Sequence, residues 1–60
     1  MNDKPTLNII GKEGNAFLIL GSAMRVARQN DMDWESIKAE ATSGDYDHLL
    51  QTMMKYFEVE

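Results

Sequence analysis

Gly14-Asn15-Ala16-Phe17-Leu18-Ile19-Leu20-Gly21-Ser22-Ala23-Met24-Arg25-Val26-Ala27-Arg28 is the longest apolar run in the chain, and its reading decides the fold. Asn15 offers a side-chain oxygen to an orphan amide of a first helical turn, and Gly14 frees the backbone ahead of it. Beyond this cap Phe17, Leu20, Met24 and Ala27 recur at helical spacing, and Ile19, Ala23 and Val26 widen the stripe. Ser22, Arg25 and Gln29 form a polar side only in the second half, and Leu18 falls on that side. The first two turns are therefore apolar almost all round. This predicts burial against the chain's own elements on one side and against a second protomer on the other. Gly21 sits mid-helix, where it costs about 0.5–1 kcal/mol relative to alanine. With Ala16, Ala23 and Ala27 nearby, it predicts a close backbone approach, from the same chain or from a second copy. Phe17, Leu18, Gly21 and Arg25 are the expected self-interface.

Working outward, Thr6-Leu7-Asn8-Ile9-Ile10 reads as a short strand with Leu7 and Ile9 on one face, after a polar, frayed start at Met1–Pro5. Gly11-Lys12-Glu13-Gly14 is a tight connection into the helix. Asn30 to Asp33 breaks the pattern, and Asp33 caps a second helix with Trp34, Ile37 and Ala41 inward and Glu35, Lys38 and Glu40 turned to water. Thr42-Ser43-Gly44 ends it, with Gly44 expected in the left-handed conformation. Asp45 caps a third helix with Tyr46, Leu49, Leu50, Met53, Met54 and Phe57 at i, i+3, i+4, i+7, i+8 and i+11. Tyr56-Phe57-Glu58-Val59-Glu60 alternates with period two and reads as a strand. Paired with Thr6–Ile10 it would tie the termini into a ribbon lying on the helices or extending across a dimer. The expected fold is α+β, one small domain over residues 1–60, in the order β-α-α-α-β and mostly helical.

A chain of 60 residues buries only about 60% of its surface on folding, and without cysteines it has neither disulfides nor thiolate metal sites. Oligomerisation is the remaining common source of stability. The apolar run is too short and interrupted to span a bilayer and no signal peptide is evident, so a cytoplasmic setting is expected. Net charge is −4, split between +2 over residues 1–30 and −6 over residues 31–60. An acidic surface argues against non-specific nucleic-acid binding, which needs phosphate-neutralising charge. It suits a basic protein partner, or the acidic half of one protomer against the basic half of another.

Little in the chain resembles a catalytic constellation. His48 with Asp45 and Asp47 is the one imidazole–carboxylate cluster. Asp45 serves better as a cap and His48 as a surface residue, so no metal or other cofactor is expected. No serine sits in a nucleophile elbow, and a chain this small does not enclose the usual pocket of about 300–1,000 Å³, so an enzyme is not expected. Lys12, Arg25 and Arg28, drawn from adjacent protomers, could hold a nucleotide-like anion. Met53 is expected as core filling and Met32 as an exposed loop residue. Trp34 has the character of a binding anchor, and with Asp31, Asp33, Asp45 and Asp47 it makes the expected partner-binding set.

Two resemblances follow from particular residues. Ile10-Gly11-Lys12-Glu13-Gly14 with Phe17 resembles the I-G-x-x-G-x-x-I signature of KH domains, which implies nucleic-acid binding through the Gly11–Gly14 loop. Too few residues precede Gly11 for a KH fold, and Glu13 puts a negative charge where phosphates would lie. Ile9 to Phe17, Ala41 to Leu50 and Tyr56 to Glu60 together are similar to a family of short bacteriophage, prophage and plasmid proteins, through the motifs G-N-A-F and S-G-D-Y-D-H-L-L. That resemblance covers nearly the whole chain and implies a mobile-element origin, with no activity or catalytic residues to carry over. The leading expectation is a non-enzymatic, homodimeric interaction protein that binds and inhibits or modulates a host protein such as a defence effector. An oligomeric anion sponge and KH-like binding are the alternatives.

Overall fold

Three side-chain oxygens start the three helices. In the computed structural model, which describes residues 4–60, Asn15 Oδ1 accepts from the Leu18 amide at 3.1 Å, Asp33 Oδ1 from the Ser36 amide at 3.3 Å and Asp45 Oδ1 from the His48 amide at 2.9 Å. Each bond satisfies one of the amides that a helix start leaves without a partner. The helices are α1 (Ala16–Gln29), α2 (Trp34–Ala41) and α3 (Tyr46–Tyr56). Strands β1 (Thr6–Leu7) and β2 (Glu58–Val59) flank them, giving a mostly helical α+β chain in the order β-α-α-α-β. Residues 1–3 of the frayed start expected for Met1–Pro5 lie outside the described residues.

The end of α1 is set by backbone geometry. The Met32 amide donates to the Ala27 carbonyl at 2.9 Å and the Asp31 amide to the Arg28 carbonyl at 3.4 Å, while Asp31 takes a left-handed φ of 56°. This is a Schellman closure, which favours glycine at the position that Asp31 holds. Met32, expected in an exposed loop, is instead half-buried against the core, because the closure folds it back over Ala27.

The termini pair within the chain, and they pair in parallel. Thr6 is level with Glu58 and Leu7 with Val59. The Glu58 amide donates to the Pro5 carbonyl at 2.8 Å, the Glu60 amide to Leu7 at 2.9 Å, and the Ile9 amide to Glu60 at 2.9 Å. Parallel neighbours need a long crossover, and here the crossover is the whole three-helix layer. Both strands are shorter than the alternation in sequence indicates. Asn8 Oδ1 accepts from the Ile10 amide at 2.9 Å and turns the chain after Ile9, and Tyr56 stays in α3.

Leu7, Ile19, Ala23, Ala27, Trp34, Ile37, Ala41, Leu49, Met53 and Phe57 form the buried core. Trp34, expected in the partner-binding set, is 7% exposed and belongs to this core. As the first residue of α2 it follows the inward stripe of Ile37 and Ala41. Met54, expected inward, is 53% exposed, because α3 turns only its Leu49–Met53 line fully inside. Thr52 is buried in its place, its hydroxyl donating to the His48 carbonyl at 2.9 Å. A left-handed non-glycine residue costs about 1–2 kcal/mol. Asp31→Gly is accordingly expected to raise unfolding stability by about 1 kcal/mol, read as a higher urea midpoint at unchanged m-value. A midpoint that stays put or falls would show that the Asp31 carboxylate offsets its own strain.

Candidate interaction surface

With 3.6 residues per turn, Phe17, Leu18, Gly21, Arg25 and Arg28 fall within an arc of about 100° on α1. The arc lies opposite Ile19, Ala23 and Ala27, which are fully buried. Phe17, placed by its spacing at the head of the inward stripe, points out instead and is 88% exposed; Leu18 is 50% exposed. The helix enters the core only from Ile19 onward, so its first turn overhangs. Gly21 was expected to admit a close backbone approach. Among the described residues no atom of another element comes within 4 Å of where its Cβ would be, so no other element described approaches this glycine closely.

The cationic residues do not converge within one chain. About 14 Å of helix axis separates Ala16 from Arg25, and Lys12 sits in the connection before that. Among the described residues neither Arg25 nor Arg28 makes a salt bridge. The Gly11–Gly14 loop, whose glycines have φ of 83° and 84°, turns both glycine amides to acceptors of the protein itself. Gly11 donates to Glu13 Oε1 at 2.9 Å and Gly14 to the Tyr46 hydroxyl at 2.6 Å. Those are amides that a phosphate would need.

The Gly14–Tyr46 bond also joins the connection before α1 to the first turn of α3. Between them lies an apolar cleft of about 240 Å³ lined by Ala16, Leu20, Ala41, Gly44, Tyr46 and Leu49. It is smaller than the usual small-molecule site of about 300–1,000 Å³. Of the expected partner-binding acids, Asp33 and Asp45 use one carboxylate oxygen each as helix caps, and Asp33 Oδ2 also accepts from the Ser36 hydroxyl at 2.8 Å. The Ser36 bonds hold Asp33 below its ordinary pKa. Asp47 accepts from Gln51 at 3.1 Å, and all four acids remain exposed.

A polar cluster that sequence reasoning missed fastens α2 to α3. Glu40, expected to face water, is half-buried; Lys55 Nζ donates to its Oε2 at 2.8 Å and the Tyr56 hydroxyl to its Oε1 at 2.7 Å. The Lys55 ammonium also lies 5.2 Å from the centre of the Tyr56 ring, within cation–π range. The Lys55 and Tyr56 bonds, in that order, hold Glu40 below its ordinary pKa of 4.5. The Glu40 carboxylate in turn raises Lys55 above 10.5 and Tyr56 above 10.0. Only the spacing of Lys55 and Tyr56 on α3 signals this in sequence, because their partner lies 15 and 16 residues away.

His48, expected as a surface residue, is half-buried and reaches back to the end of α2. Its Nε2 lies 2.8 Å from the Glu40 carbonyl, which also accepts from the Ser43 hydroxyl at 2.7 Å. A carbonyl can only accept, so Nε2 carries the proton. The ring therefore cannot take a proton from Ser43 Oγ, 3.2 Å away, and the pair is a helix cap rather than an activated nucleophile. The ring's path also explains Gly44. Its φ lies outside the left-handed region expected for it, and a Cβ there would sit 2.9 Å from His48 Cβ and Cγ. Among the described residues no group of three or more His, Cys, Asp or Glu side chains could hold a metal ion, and no helix is long and apolar enough to cross a membrane.

No family model, curated protein or solved structure matches the chain.

Two outcomes follow from the cluster. Gly44→Ala is expected to cost about 1–3 kcal/mol by overpacking, and to cost much less when His48→Gly, which removes both the Cβ and the ring it would meet, accompanies it in a double-mutant cycle. Equal costs in both backgrounds would show that the His48 side chain is not the obstacle. Glu40→Gln is expected to lower stability between pH 4.5 and pH 10.0. A depressed carboxylate pKa gives stability that is lost as pH falls through the folded value, and the raised Lys55 and Tyr56 values give stability that is lost as pH rises through theirs. Urea midpoints of the two proteins should therefore converge at both extremes, and a gap that persists in acid would remove this account. Added salt should narrow the gap at neutral pH, because the Lys55 side chain is 60% exposed.

Proposed function

We propose that this chain is a non-enzymatic interaction protein of mobile-element type, which assembles as a homodimer through the outward face of α1 and binds a host protein. The observation that carries the reading is Phe17 at 88% exposure, with Leu18 at 50% and an open Gly21, on a helix whose other face is fully buried. Exposing an aromatic side chain to water forfeits about 1.5–3 kcal/mol of available burial. A contiguous apolar patch of this kind marks an interaction site. The resemblance to short phage proteins supports the host setting. The host-facing surface in this reading uses the exposed acids Asp31 and Asp47, with Asp33 and Asp45 engaged as helix caps, and its complement is a basic protein surface.

Sedimentation equilibrium from micromolar to millimolar concentration is expected to show the apparent mass rising from the 6.8 kDa chain mass towards twice it. Leu18→Asp is expected to raise the dimer dissociation constant at least about thirtyfold, the effect of losing a 2 kcal/mol anchor, with helix content by circular dichroism unchanged. Two well-folded monomers would end the dimer reading. For the host-facing part, a basic host protein captured by the wild type should be released by Asp31→Asn with Asp47→Asn, and capture that ignores both changes would count against the acidic surface.

A further inference from the structure

The outward face of α1 is self-complementary in two independent respects. Phe17 is a large side chain without a neighbour, and one turn later Gly21 is a missing side chain with open space above it. Facing helices interdigitate by setting large residues over small ones. The second respect is charge. Glu13 stands just ahead of the helix and Arg25 lies in its second half. One Glu13 oxygen holds the Gly11 amide, and the other has no partner among the described residues. Copies laid parallel would oppose Arg25 to Arg25 and align the helix dipoles, whereas antiparallel copies oppose Arg25 to Glu13 and cancel the dipoles.

Phe17 lies two residues before Ile19 and Gly21 two after on the same helix, so antiparallel copies centred there set each over the other. The connection that carries Glu13 turns at Gly14 before the helix begins and lies at the end that meets the partner's Arg25 half. Resting on the dimer reading above, we infer that a second copy of this chain docks antiparallel along α1 about a two-fold axis level with Ile19. Phe17 then packs over the partner's Gly21, and Glu13 faces the partner's Arg25. Leu18 meets its own counterpart beside the axis. This is an isologous interface, in which each contact occurs twice. It gives the mid-helix glycine a purpose that the monomer does not supply. A standard interface takes about 800 Å² per partner, or about one fifth of this chain's 4063 Å². A seam on a 14-residue helix about 21 Å long falls short of that, so the dimer is expected to be concentration-dependent.

The chain has no cysteine, so introduced thiols report the register without background. Under mild oxidation the double variant Phe17→Cys with Gly21→Cys is expected to give a covalent dimer, and peptide mapping should show bonds between position 17 of one chain and 21 of the other. Bonds joining 17 to 17 or 21 to 21 would overturn the register, because they require a parallel pair or a two-fold axis at Phe17 or at Gly21. Since Phe17→Cys removes an anchor, charge reversal provides a second measurement. Glu13→Arg and Arg25→Glu are each expected to weaken the wild-type dimer about tenfold, and the two combined to restore it. No restoration would overturn the register. A wild type that stays monomeric up to millimolar concentration removes the dimer as well, whereas a wild-type dimer with the wrong bonds removes only this arrangement.

Discussion

The structure depends on the burial of one side of α1. Ile19, Ala23 and Ala27 are fully buried, and β1, α2 and α3 all pack on that helix. The small side chains of Ala23 and Ala27 let the neighbouring elements come close, and the large ones of Leu7, Trp34, Met53 and Phe57 fill the space around them. Among the described residues the opposite arc of α1 stays open, with Phe17 88% and Leu18 50% exposed, as the high surface-to-volume ratio of small domains favours.

Around that helix the chain is locked at its ends and joints by polar bonds. Each helix start is capped by its own residue, α1 ends in a Schellman closure, and α2 ends on His48 and Ser43. The Glu40–Lys55–Tyr56 cluster fastens α2 to α3, and the parallel pairing of β1 with β2 joins the termini. Such a frame presents the first turns of α1 in a fixed position. That is what an interface anchor requires, because a preorganised surface loses less conformational freedom on binding.

Legibility in the sequence followed the range of the interactions. Caps at Asn15, Asp33 and Asp45 act within three residues, and the helices begin where those residues placed them. The inward lines Trp34–Ile37–Ala41 and Leu49–Met53 were legible because their periodicity is local. Phe17 was misplaced for the opposite reason. Spacing alone cannot tell which side of an all-apolar turn will face the core, since that depends on where α2 and α3 lie. Local pattern alone places Glu40 and His48 at the surface, because their partners come from another helix. It likewise makes Gly44 a left-handed terminator, the common use of glycine at a helix end, whereas here Gly44 makes room for the His48 side chain.

By itself the sequence determined three capped helices between two short strands, an acidic second half, and a first helix with more apolar circumference than a short chain can cover. These properties depend on side-chain chemistry and on neighbours a few residues apart. Only the tertiary structure decided that the strands run parallel and that Phe17, Leu18 and Gly21 share the open arc. The physical reason is that the facing of each apolar side chain is fixed by competition for a limited buried volume, which is settled only when distant segments meet.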